Sequence, residues 1–412
     1  MLESYLKGSI IQMISRARQL SLVIDKPYPQ HYDGLRHLCS QRLQETLDSL
    51  IALERELIVN EEIQTPRRLR VFKRNCEQLE EIETIGATAL AMAQQEASFL
   101  NATVRAICDD IGYPLVPPTV ANMSTSHFGI YAEYNLLIVP LLESRYLLHL
   151  PDIYHELAHP FLHGRYENRS VLDGYRYAFK AAMVAVSQHT RSAVLYAKRE
   201  RAPPAVELQY LFWGQAWQKY WLEEFFCDIF AALSCGPAYA WSHYHLAIKQ
   251  GDGAFSTPTN KKQTHPPDDA RMRIILFSLQ KLGFGEESIV LARAWSDMLA
   301  LRGERAEPEY RQCFPDNLLQ TIVDLAHAGV DSMNVNLAVP GALTRWSERL
   351  NEAWTVFWRI RRHTATGNAR GSRSSRIQQV PGARRMHAGV GPIWCARTQR
   401  RQERSAWRSP EV

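Results

Sequence analysis

The stretch Asp152-Ile153-Tyr154-His155-Glu156-Leu157-Ala158-His159 carries the most chemistry in the chain. Histidines four apart on a helix share a face about one turn apart, so both imidazoles can reach one Zn²⁺ at roughly 2.0–2.1 Å. Glu156, between them, then lies beside the ion's open position, where a carboxylate can take a proton from water and later deliver it to a leaving amine. The flanking Ile153, Tyr154, Leu157 and Ala158 are uncharged, which suits a helix buried beside a metal better than a solvated one.

A catalytic zinc site needs a third protein ligand, and three positions compete. His163 continues the series at i+8, about 12 Å along a helix from His155, too far for three ligands on one ion. A histidine six residues after His159 is absent, because position 165 is Arg. Glu224, in Trp221-Leu222-Glu223-Glu224-Phe225-Phe226-Cys227-Asp228, has an Asp four residues on, sharing its helix face. That Asp228 is placed to accept the second ring N–H of a ligand histidine, fixing its tautomer. Glu223 lacks an Asp at that offset and reads as a neighbour of the ligand.

His155-Glu156-x-x-His159 followed by Glu224-x-x-x-Asp228 resembles a gluzincin metallopeptidase, and Thr264-His265-Pro266-Pro267-Asp268-Asp269-Ala270-Arg271 sharpens the resemblance. It is similar to the H-P-x-x-x-x-R segment that follows the ligand Glu in the CAAX-prenyl endopeptidases and bacterial heat-shock membrane proteases. The likeness covers residues 130–282. It implies His155, His159 and Glu224 as metal ligands, Glu156 as general base and acid, and Asp228 beside a ligand histidine. His265 would stabilise the developing oxyanion or help build the site, and Arg271 would support it through a salt bridge. Two departures stand out. Pro160 disfavours helix at His159, so the helix is expected to end or kink there. The transmembrane helices of those proteases are missing, so membrane proteolysis is not implied.

Other side chains have plainer readings. Trp213, Trp217 and Trp221 recur at i, i+4 and i+8 and read first as a packed helix seam, then as a cleft floor. His243 and His245 could line a cleft; Tyr154 packs. The strand-like 128–149 segment is either a core strand or an edge on which an extended peptide could add.

The elements that must hold these residues follow from periodicity. An amphipathic helix opens the chain, and residues 34–112 read as helices. Gly112 to Ser126, with three prolines, breaks the pattern and marks a boundary. One or two strands follow, with Pro140 favouring an edge or bend. Helices are expected at 174–200, 205–234, 238–250, 267–282, 286–301, 316–328 and 340–362, the last with an apolar face of Leu343, Trp346, Leu350, Trp354 and Phe357. The expected fold is α+β, mostly α: a helical region at 1–112, a zincin-like domain at 113–300, a helical extension at 301–362 and a basic tail at 363–412.

The 412 residues carry a formal net charge of +5, which taken whole would suggest an acidic partner. His363–Val412 alone holds ten Arg, no Lys and two Glu, a net of +8, and leaves the other 362 residues at −3. Nucleic-acid binding would therefore rest on the tail, where Trp394 and Trp407 could stack on bases; disorder is the simpler reading, and the change of character also suits a shifted reading frame. Seven widely spaced Cys without C-x-x-C point to a reducing cytosol. No run approaches the length of a membrane span. The expected partner is a peptide or protein substrate and the expected cofactor Zn²⁺. The competing expectation is a helical interaction module whose zinc site is structural or vestigial, closed by a fourth ligand such as His163 or His265.

Overall fold

A computed structural model describes residues 2–56, 65–93, 97–124, 127–140, 146–163, 169–250, 253–257 and 263–365. Contacts divide the chain into a unit at 1–379 and a second at 380–412, the latter wholly outside the described residues. Residues 363–365, expected in the tail, instead close the last helix, and the remaining tail readings, including both tryptophans, lie outside the described residues. The fold is mostly helical with one three-stranded sheet, the α+β, mostly α class expected.

Helices α1 (Leu2–Ile24), α2 (Asp33–Glu56) and α3 (Thr65–Glu81) lead the chain; α3 runs through a π-helical stretch, Ile82–Ala87, into α4 (Thr88–Ala91), and α5 spans Ala97–Ile111. The sheet order is β1 (Thr119–Ser124), β3 (Leu136–Pro140), β2 (Gly129–Tyr131), with β1 parallel and β2 antiparallel to β3. Alternation along β3 divides two cores. Leu137 and Val139 face the main core, which extends from Leu100 to Trp354. Leu136 and Ile138 face a smaller cluster built by α1, α2 and the π-helical stretch. β1 is not legible inside the proline-rich tract at 112–126, because Thr119-Val120-Ala121-Asn122-Met123-Ser124 shows no alternation of apolar and polar residues. Asn101 secures it, its amide donating to the Val120 carbonyl at 3.0 Å and its oxygen accepting the Val120 N–H at 2.8 Å.

The rest is helical: α6 (Asp152–Glu156), α7 (Asp173–Arg199), α8 (Pro204–Ala216), α9 (Leu222–Cys235), α10 (Pro237–Gln250), α11 (Asp268–Leu282), α12 (Gly285–Arg302), α13 (Pro308–Cys313), α14 (Asp316–Asp331) and α15 (Arg345–Ala365). The single helix expected at 205–234 is α8 and α9 joined by a π-helical turn, Trp217–Trp221. Trp213, Trp217 and Trp221 are all buried. Trp217 packs on Phe225 and Phe314, and its indole N–H donates to the Cys313 carbonyl at 3.1 Å, so the stripe is a seam. Gly236, at φ 76°, turns the chain from α9 into α10. The Asn351 side chain bridges that corner, donating to the Cys235 carbonyl and accepting the Ala238 N–H, both at 2.8 Å. Among the described residues no helix is long and apolar enough to cross a membrane.

Candidate metal centre

The segment bearing the two histidines is only partly α-helical. After α6 comes a turn, and His159 opens a 3-10 turn, His159–Phe161. Pro160 has no N–H to give, so the helical ladder stops there. Side chains from elsewhere take up the carbonyls it leaves: Tyr113 donates to Leu157 at 2.8 Å and Arg176 to Phe161 at 2.8 Å. At the other end Ser242 donates to Asp152 at 2.7 Å. The Asp152 carboxyl, partly buried, has its pKa raised to about 6 by desolvation, against the Ser242 bond.

Helix α9 runs alongside and brings three carboxylates to the two imidazoles. His155 Nδ1 lies 2.9 Å from Asp228 Oδ1, and its Nε2 lies 3.4 Å from Glu224 Oε2. His159 repeats the arrangement: Nδ1 is 2.8 Å from Glu223 Oε1 and Nε2 is 4.0 Å from Glu224 Oε1. Each ring thus has one nitrogen on an outer carboxylate and the other toward Glu224. A cation held between the rings would find each neutral imidazole with its proton on Nδ1, toward the outer carboxylate, and its lone pair on Nε2. Glu224 Oε2 is buried and has no hydrogen-bond partner among the described residues. A buried carboxylate oxygen left unsatisfied is costly, and a cation between the rings would satisfy it.

The electrostatics support that fit. Burial opposes ionisation of Glu224, yet His155, with His159 and His265 nearby, lowers its pKa to about 2, leaving its carboxylate ionised. Glu223 is likewise lowered to about 2, against burial, by His159 and His163. Burial works against a charged His155, but Asp228 and Glu224 raise it to about 10, so without an ion the ring carries a proton on both nitrogens, and a cation would displace the one on Nε2. Asp228 is held well below the usual carboxylate range despite complete burial, by Arg271 and His155. Arg271 meets it through two hydrogen bonds, and Tyr239 donates to Asp228 Oδ1 at 2.6 Å.

The structure brings His155, His159, Glu224, Asp228 and Arg271 into one connected group. Glu156 is half-buried and within electrostatic reach of His159 and His265. His265 lies at the rim, 65 % of its side chain exposed, with Nε2 3.7 Å from Glu224 Oε2. His243 and His245 stand apart: His243 Nε2 is 3.1 Å from the Asp268 carbonyl oxygen and His245 stacks on His149. The sequence motifs do not point to two further participants, Tyr239 and Cys227. Tyr239 has no local signal. Glu223, which the sequence places beside Glu224, pairs with His159 through the way α9 packs. Cys227 could have been found, three residues after Glu224 on one helix face: it is buried, and its Sγ and one ring nitrogen each from His155 and His159 lie within 4.8 Å of one another, a set able to hold a metal ion. Glu224 is not in that set; its Oε2 stands 3.4 Å from His155 Nε2 and its Oε1 4.0 Å from His159 Nε2. Burial and the surrounding carboxylates raise the Cys227 thiol well above its ordinary value.

A cavity of about 1100 Å³ bordered by Trp241, Tyr244, Met298 and Trp358 includes none of these residues. No protein-family model, no curated protein sequence and no solved structure matches the chain.

Proposed function

We propose that the chain is a zinc-dependent peptidase of the gluzincin kind, soluble and cytoplasmic, acting on a peptide or protein substrate. One observation carries the reading: the Glu224 carboxylate, with an orphaned buried oxygen, sits between two imidazoles whose far nitrogens are each held by another carboxylate. His155, His159 and Glu224 would hold the ion, a borderline-soft set of two nitrogens and one oxygen that suits Zn²⁺. Zinc bound there would supply Lewis acidity toward a scissile carbonyl and toward water.

The chain's own groups do the remaining work. Asp228 and Glu223 keep the ring protons on Nδ1, so the Nε2 lone pairs face inward. Arg271 neutralises Asp228, and Tyr239 adds a hydrogen bond, so that carboxylate orients its histidine without becoming protonated. Glu156 accepts the proton of the attacking water and returns it to the leaving amine. His265, exposed at the rim, is the group able to approach the developing oxyanion. Nucleic acid has no part in this reading.

A second reading has one observation in its favour. Cys227 lies close enough to both imidazoles to complete a four-ligand shell, and a closed shell is the mark of a structural zinc site.

Metal analysis with a peptide-library cleavage assay separates the two. Under the peptidase reading the protein carries one zinc, Glu156→Gln keeps the zinc and lowers cleavage roughly 10²–10⁴-fold, and Cys227→Ser keeps both. Loss of zinc from Cys227→Ser with no cleavage by the parent would favour the structural site. A parent without stoichiometric zinc would end both.

A further inference from the structure

A second group of metal-ligating side chains lies immediately outboard of the first. Glu223 Oε1 is 2.8 Å from His159 Nδ1 and 3.2 Å from His163 Nε2. The three ligand atoms fall within 4.8 Å of one another, the span expected of groups able to share one ion. Ligand atoms around a tetrahedral ion with bonds of about 2.0 Å stand about 3.3 Å apart, so little rearrangement is needed. His163 is 42 % exposed and Glu223 28 %, so an ion can arrive from solvent. His163 is too far along the chain to join the inner ligands; the 3-10 turn at Pro160 instead swings it toward Glu223.

We propose that His159, His163 and Glu223 form a second, weaker site for a divalent zinc-like ion, and that filling it disables the inner one. This rests on the reading of His155, His159 and Glu224 as the inner ligands. Two nitrogens and a carboxylate select borderline ions such as Zn²⁺ over Mg²⁺ or Ca²⁺. The inhibitory coupling follows from one ring. A neutral imidazole has a single lone pair, on Nε2 or on Nδ1. With the Nδ1 proton donated to Glu223, the lone pair points inward. An outer ion binding Nδ1 needs the other tautomer, in which that proton has moved through solvent to Nε2. No proton is gained or lost overall, but the inner position loses a ligand. Glu223 therefore acts as a selector: as hydrogen-bond acceptor it supports the inner ion, and as outer ligand it opposes it. The outer site is the weaker because its groups are more exposed and, among the described residues, no second carboxylate orients His163 in the way Asp228 orients His155.

The test is a Zn²⁺ titration of the metal-free protein, read by calorimetry and by ¹⁵N shifts of labelled histidine. In the parent, a tight first event should mark His159 as ligated through Nε2. Excess zinc should then produce a weaker event in which the His159 signal changes to ligation through Nδ1, with any cleavage activity falling over the same range. His163→Ala should weaken the second event at least tenfold and leave the first within twofold. A single event unaffected by excess zinc, or a second event unchanged in His163→Ala, would overturn the proposal and leave the inner site standing. No zinc binding at all would overturn both.

Discussion

The Arg271 guanidinium grips the Asp228 carboxylate at both oxygens, Nε to Oδ2 at 2.8 Å and Nη2 to Oδ1 at 2.7 Å, with Asp228 wholly buried. Asp228 also meets His155 and Tyr239, so the pair joins α11, α9, α10 and α6 at one point. Breaking a buried pair from one side leaves an uncompensated charge, at about 3–5 kcal/mol. Arg271→Met should lose that much in denaturant unfolding of the metal-free protein, and Arg271→Met with Asp228→Asn should recover part of it. A single variant within 1 kcal/mol of the parent would show that the pair is not what secures this junction.

Adjacent glutamates should behave differently toward zinc. Under the peptidase reading Glu224→Ala removes a ligand and should leave the protein without stoichiometric metal. Glu223→Gln removes only the carboxylate that orients His159 and should weaken zinc by about 10–100-fold. Competition with a chromophoric chelator measures both. Equal losses would mean that the assignment of the two positions is wrong.

Acid sensitivity should trace partly to His149. Burial, with the neighbouring His245, lowers its pKa to about 4. Between that value and the ordinary value near 6.5 the unfolded chain binds a proton that the folded chain refuses, so stability rises with pH across the window and is level above it. His149→Gln should flatten the rise by roughly 1–2 kcal/mol, allowing for partial solvent screening. Urea unfolding at several pH values from 4.5 to 7.5 would reveal it; identical slopes in parent and variant would remove His149 from the account.

Trp217 should be among the costliest large-to-small changes. Its ring fills the space between Phe225 and Phe314, and its N–H is bonded to Cys313. Trp217→Ala should cost about 3–5 kcal/mol and Trp217→Phe distinctly less. Because α9 continues directly from this turn, zinc affinity should fall with stability; thermal melts with and without zinc test both. A melting temperature unchanged in Trp217→Ala would contradict the packing role.

The sequence makes legible what is local. Helix positions follow from apolar spacing, and the interruption after His159 follows from Pro160, since a missing N–H acts wherever the residue stands. The elements that escaped depend on partners far along the chain. β1 is held by Asn101 and by β3, the short α13 spans only Pro308–Cys313, and the π turn at Trp217–Trp221 meets Phe314. At the site, two spacings are readable because each is local: Glu224 and Asp228 share α9, and His155 and His159 lie on one short stretch that runs from α6 into the 3-10 turn. Tyr239 and the Glu223–His159 pairing are not, because they arise from packing between segments.

The Asn351 amide that spans the α9–α10 corner has a consequence for how the protein is made. Ala238 waits for a hydrogen-bond acceptor 113 residues further along the chain. On the ribosome, the carboxylates of α9 and the hydroxyl of Tyr239 emerge long before the residue that clamps their helices together. The corner can take its final form only after Asn351 has left the exit tunnel, and under the peptidase reading a fully formed metal centre would wait for it too.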